Sequence, residues 1–177
     1  CSREKLTGDL ETLRSFYLNR GYLEFAVEST QVSIDPEREG VYVTITVKEG
    51  ERFTVRDIEF GGNTLGREQR LRDALKFKGG ETFNGERLSD SVKAMTDELG
   101  SIGYAFANVS PVPLIDRDKR EVSYTFNVDP GRRAYVRRIH VSGNQRTRDE
   151  VIRRELRQFE GAWFDSDKIR LSRDGVE

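Results

Sequence analysis

The chain repeats itself at an offset of 81 residues, and this constrains its fold more than any composition figure does. Val55-Arg56-Asp57-Ile58-Glu59-Phe60-Gly61-Gly62-Asn63 lies over Val136-Arg137-Arg138-Ile139-His140-Val141-Ser142-Gly143-Asn144. At the same offset Leu75 meets Leu156, Gly80 meets Gly161, Phe83 meets Phe164 and Ser91 meets Ser172. Backwards along the chain, Arg20-Gly21-Tyr22 meets Ile102-Gly103-Tyr104 at an offset of 82, and Glu49-Gly50 meets Pro130-Gly131 at 81. A repeat of this period implies a small unit that is stacked or strung in series. The N-terminal segment matches the second half of the central unit and the C-terminal segment matches its first half. The expected division is 1–53 as the C-terminal half of a module, 54–134 as a complete module and 135–177 as the N-terminal half of another. Such a chain reads as a piece of a longer array.

The central unit spells out its elements. Phe53, Val55, Ile58 and Phe60 alternate like one strand face, with a slip near Asp57. Gly61-Gly62-Asn63 is turn chemistry. Residues 67–78 predict a first helix, stopped by Gly79-Gly80. Asn84 or Gly85 can cap a second helix, whose apolar stripe is Leu88, Val92, Met95 and Leu99. A second strand is expected over 104–115. After the loop at Asp116-Arg117-Asp118-Lys119, Val122, Tyr124, Phe126 and Val128 alternate as a third. The order β-α-α-β-β predicts an α+β fold: tandem modules, each a three-stranded mixed sheet covered on one face by two helices. In the N-terminal segment, Leu6, Leu10, Leu13 and Tyr17 mark a helix, 23–34 a strand, and Val41, Val43, Ile45 and Val47 another. Thr147-Arg148-Asp149-Glu150 reads as a capping box for a helix near the C-terminus.

Signals for chemistry are sparse. The single His140 sits at an outward strand position, and Cys1 is the one cysteine, so neither offers a metal cluster or an internal disulfide. No phosphate-loop or nucleophile signature follows any glycine turn. No cofactor is expected, and the chain is expected not to be an enzyme. No run of 18 apolar residues is present. Residues 1–53 carry 7 basic and 10 acidic side chains, whereas 131–177 carry 12 and 8. The arginines of that end, from Arg132 to Arg157, are interleaved with Asp149, Glu150 and Glu155. A phosphate-binding stripe is normally cleaner, so a solvated face is the expectation rather than nucleic-acid binding.

Gly8-Asp9-Leu10-Glu11-Thr12-Leu13-Arg14-Ser15-Phe16-Tyr17, Arg20-Gly21-Tyr22, Ser29-Thr30-Gln31-Val32-Ser33 and the run from Arg153 to Trp163 resemble the POTRA domains of the BamA family. These are outer-membrane β-barrel assembly factors. The resemblance runs over essentially the whole chain and aligns it with the end of the third POTRA domain, the fourth, and the start of the fifth. It implies a scaffold on the periplasmic face of the bacterial outer membrane. Its implied partners are unfolded outer-membrane proteins, BamD and other Bam lipoproteins, and the parent chain is expected to carry a membrane β-barrel. The resemblance also implies lipoprotein docking through Glu160, Arg157 and Trp163. The alternative is a POTRA array of a related two-partner secretion or organelle import pore.

In such a fold the second strand lies at a sheet edge and can accept a guest strand by β-augmentation. Pro111 and Pro113 lie two apart, so their missing N–H donors fall on one side, which must be the open one. The N-terminal counterpart has no proline. Phe25, Val27, Thr30, Val32 and Ile34 are therefore the expected client edge strand, with a bulge expected within Glu28-Ser29-Thr30-Gln31.

Overall fold

A computed structural model describes residues 3–35, 37, 40–134 and 139–143. Its elements run α1 (Arg3–Leu18), β1 (Ala26–Asp35), β2 (Gly40–Lys48), β3 (Thr54–Gly62), α2 (Glu68–Asp73), α3 (Gly85–Ser101), β4 (Asn108–Asp116) and β5 (Glu121–Asp129). β1 and β2 form a two-stranded antiparallel sheet, and a three-stranded sheet has the order β3-β5-β4. Thr54 N–H donates to Arg120 O and Asn63 N–H to Val128 O, so β3 and β5 advance together and are parallel. β4 returns antiparallel to β5 across the short turn at 117–120. The sheet is mixed, and the α+β layout is the one the repeat implies.

The chain divides into two compact units. The first comprises the described parts of Cys1–Ile58, Lys76–Asp90 and Pro113–Tyr124; the second comprises those of Glu59–Leu75, Ser91–Val112 and Thr125–Glu177. In the first unit Phe25, Phe53, Val55, Phe77, Phe83, Val122 and Tyr124 are buried, and the Phe83 and Tyr124 rings stack at 6.2 Å. In the second, Leu71, Met95, Leu99, Val109, Phe126 and Val128 are buried, and Phe60 stacks on Phe126 at 5.7 Å. The four inward positions of β5, at Val122, Tyr124, Phe126 and Val128, are at most 3% exposed. Each such side chain contributes about 1.5–3 kcal/mol relative to exposure. Burial pushes the Tyr124 phenol up from 10.0 to about 12, because the phenolate loses its hydration there.

Three local expectations change. The first helix of the central unit ends at Asp73 and not near Lys78. Phe77 turns inward to 7% exposure, and the chain beyond it zips onto β3. Gly80 N–H donates to Val55 O, Val55 N–H to Glu81 O and Phe83 N–H to Phe53 O. Those bonds replace the helical ones. A Cβ on Gly79 would lie 2.6 Å from Arg56 O, which is why the approach needs glycine. In α3, Asn84 Oδ1 accepts the Arg87 N–H and caps the helix, as its position implied. The buried stripe of α3 nevertheless runs through Ser91, Met95 and Leu99, while Leu88 and Val92 are only half-buried. The second strand of the central unit begins at Asn108, later than 104, because Tyr104 N–H and Ala107 N–H close turns on Leu99 O and Tyr104 O. The slip near Asp57 is present: buried Val55 and half-buried Ile58 differ in parity, and Asp57 N–H donates to the Ser123 hydroxyl.

Candidate strand-docking edge

β1 owes its form to one extra residue. Its register with β2 pairs Val27 with Val47, then jumps to Ser29 with Thr46, leaving Glu28 as a bulge. Beyond the jump, Thr30 faces Ile45, Val32 faces Val43 and Ile34 faces Val41. Directly opposed residues share a sheet face. The bulge therefore moves odd-numbered Val27 and even-numbered Thr30, Val32 and Ile34 onto one face. Without it the later residues would point to the other side.

The same bulge explains the two repeat offsets. β1 has 10 residues and β4 has 9. Positions before Glu28 match the later copy at 82, so Val27 corresponds to Val109. Positions after it match at 81, so Thr30 corresponds to Pro111, Val32 to Pro113 and Ile34 to Ile115. β2 corresponds to β5: Val41, Val43, Ile45 and Val47 take the places of Val122, Tyr124, Phe126 and Val128. β5 is the middle strand of its sheet and β4 an outer one, so β1 holds the outer place in the copy.

β4 keeps its place beside β5 despite two prolines. Neither can donate to the ladder, so both imino nitrogens face outward. The outer edge of β4 lacks donors at 111 and 113. The counterpart residues on β1, Thr30 and Val32, keep their N–H groups. Val32 is 60% and Ile34 75% exposed, and Val27 is half-buried. Phe25 stands apart from this row. It precedes β1, is 6% exposed, and its ring stacks on Tyr17 at 4.4 Å. Tyr17 also packs edge-on against Tyr22. Phe25 thus anchors the entry to the strand, and its side chain is not available to a guest. Glu160, Arg157 and Trp163 lie outside the described residues, as does the capping box at 147–150.

The entry to β1 is further tied to the turn between β4 and β5. Arg117 makes a bidentate pair with Glu24, with Nη2 2.8 Å from Oε2 and Nε 3.0 Å from Oε1. The hydrogen bonds from Arg117 hold the Glu24 carboxyl below its ordinary value, with the guanidinium charge adding to them. Arg120 reaches Glu51 at 3.5 Å. Sequence reading missed these residues, because nothing in their spacing marks them as partners. His140 is exposed. Among the described residues no group of three or more His, Cys, Asp or Glu side chains is arranged to hold a metal ion, and no helix is long and apolar enough to cross a membrane.

Comparison with known proteins follows the same repeat. Three segments, 1–50, 53–131 and 134–177, match POTRA, described as surface antigen variable number repeat. The outer membrane protein assembly factor BamA of Neisseria meningitidis serogroup B is 33% identical over 177 residues, covering 99% of this chain and 22% of that protein. BamA of Buchnera aphidicola is 31% identical over 176 residues, covering 99% of this chain and 28% of that protein. The chain therefore spans less than a third of the length of these relatives. The crystal structure of Haemophilus influenzae BamA POTRA3-5 aligns with a TM-score of 0.85 at 33% identity, over 97% of this chain and 68% of that one.

Proposed function

The chain belongs to the POTRA family, and from that premise we propose that it is a non-enzymatic, protein-binding scaffold of outer-membrane protein assembly on the periplasmic face of the outer membrane. Its similarity to BamA proteins along nearly its whole length supports this reading. In it, 54–134 acts as a whole module between partial ones at 1–53 and 135–177.

The client is an unfolded outer-membrane protein, taken up as an added strand along β1. The observation that carries this is the correspondence of Thr30 and Val32 with Pro111 and Pro113. One copy of the outer strand retains its backbone donors and the other lacks two of them. Recognition through backbone groups suits clients of many sequences, since every β-barrel strand presents the same N–H and C=O rhythm. The prolines on β4 blunt the second edge, a common protection against unwanted pairing. Docking of BamD and other Bam lipoproteins through Glu160, Arg157 and Trp163 belongs to the same reading, as does a membrane β-barrel elsewhere in the parent chain.

The test is site-specific photocrosslinking of a β-barrel strand peptide to the chain. A photoreactive residue at Thr30 or Ser33 captures the peptide, and one at Ser110 or Val112 does not. Equal capture along both strands would refute the preference for β1.

A further inference from the structure

The joint between the repeats shows two layers of contact, and one of them recurs among the described residues. The first layer is a bracket around the linker. Arg52 Nε donates to Arg20 O and Phe53 N–H donates to Gly21 O. In the next copy Arg133 Nε donates to Ile102 O and Ala134 N–H donates to Gly103 O. Gly21 and Gly103 share a φ of +100° and +99°, and Gly50 and Gly131 are also positive, at +75° and +65°. The bracket therefore fixes the exit of the chain in the same way twice.

The second layer is seen at the first joint, among the described residues. Asn19 Oδ1 accepts the Glu86 N–H of α3 at 2.8 Å. A residue of the first repeat thus caps a helix of the next, beside that helix's own Asn84 cap. A Cβ on Gly85 would lie 3.1 Å from Leu18 Cβ, and one on Gly21 would lie 2.7 Å from Thr82 Cγ2, so the two repeats meet closely on either side of this bond. Across the joint, Glu24 holds Arg117 in the turn after β4. The counterpart residues in the next copy are of different types. Ser101 stands where Asn19 stands, and its hydroxyl donates back to Glu98 O of its own helix. Phe106 stands where Glu24 stands; it carries no charge and is 76% exposed.

We infer that Asn19 and Glu24 form a two-point lock that fixes the rotation of the first repeat on the central one. The bracket alone sets where the chain leaves one repeat and enters the next. Two further attachment points on separate elements, α3 and the β4–β5 turn, are what a linker needs in order to lose its remaining rotation. The lock holds the β1 edge in one direction relative to the central repeat. It does not depend on which client, if any, that edge receives.

Pulsed electron–electron spin resonance tests it, with nitroxides at Gln31→Cys on β1 and Asp90→Cys on α3 in a Cys1→Ser background. Both positions are exposed. The parent chain gives one narrow distance distribution. Asn19→Ala and Glu24→Arg each broaden it, while circular dichroism stays unchanged. The charge exchange Glu24→Arg with Arg117→Glu restores the narrow peak, which a loss of folding could not do. A broad distribution in the parent chain, or a narrow one unaffected by Asn19→Ala and Glu24→Arg, overturns the lock. Failure of the exchange to restore the peak overturns the part assigned to Glu24.

Discussion

The hairpins β1–β2 and β4–β5 are copies of one element in different surroundings. Both alternate apolar and polar residues, and both place their apolar row on one face. In β4–β5 that row is buried: Val122, Tyr124, Phe126 and Val128 are core. In β1–β2 the matching Val41 and Val43 are 56% and 36% exposed among the described residues. The outer strands differ in the opposite sense. β4 has a sealed edge with two prolines, whereas β1 has a complete set of donors and a bulge at Glu28. In this chain the apolar row of β4–β5 is covered and that of β1–β2 is not. The same pattern fits both cases, because alternation specifies a face and says nothing about what covers it.

The largest test of this contrast is a matched pair of truncations. Phe126→Ala removes a fully buried ring and is expected to cost about 3–5 kcal/mol. Its counterpart Ile45→Ala, only half-buried, is expected to cost less than about 1.5 kcal/mol. Urea unfolding followed by circular dichroism measures both, and equal costs would abolish the distinction.

The next effect concerns Tyr124, the counterpart of Val43. Its folded pKa is raised to about 12 from 10.0, so the native state holds the proton more tightly than the unfolded chain does. The stabilising contribution is complete below pH 10 and declines as pH rises from 10 to 12, by about 2 kcal/mol. Tyr124→Phe removes that decline. If the variant and the parent chain lose stability in parallel over this range, Tyr124 is not the group responsible.

Exchanging the edges is expected to act on binding. Thr30→Pro with Val32→Pro removes two backbone donors worth about 1 kcal/mol each. Affinity for a strand peptide, read by fluorescence anisotropy, should fall roughly 30-fold, with stability little changed. Pro111→Thr with Pro113→Val should open the second edge to the same peptide.

The smallest effect is at Glu24, half-buried at the joint. Its carboxyl is held down by the hydrogen bonds from Arg117, so the pair contributes above the ordinary glutamate pKa and is lost as pH falls through the lowered one. Glu24→Gln should remove only this slight acid-side dependence, measured as the urea midpoint between neutral and acidic pH. A variant that keeps the full dependence would point to another carboxylate.

Much of the architecture was legible in the residues. The repeat fixed the element order. The Asn84 cap, the turn after Asp116 and the alternation from Val122 to Val128 are local signals with local causes. The break in apolar alternation at Glu28-Ser29-Thr30-Gln31 marked the bulge, and the jump from an offset of 82 to 81 agrees with one extra residue there. The end of α2 was not legible, because it is set by the zipping of 79–83 onto β3 and not by any helix breaker nearer than Gly79. Phe25 looked like a member of the β1 row by spacing, but the Tyr17 ring claims it.

By itself the sequence determined which faces are apolar, where the chain turns, and which outer strand lacks donors. These follow from side-chain period and from the chemistry of glycine and proline, which act within a few residues. Only the tertiary structure decided that Asn19 caps α3 and that Glu24 meets Arg117. Those partners lie 67 and 93 positions apart in the chain. No local preference encodes such a distance; it is closed only when the linker bracket brings one repeat against the next.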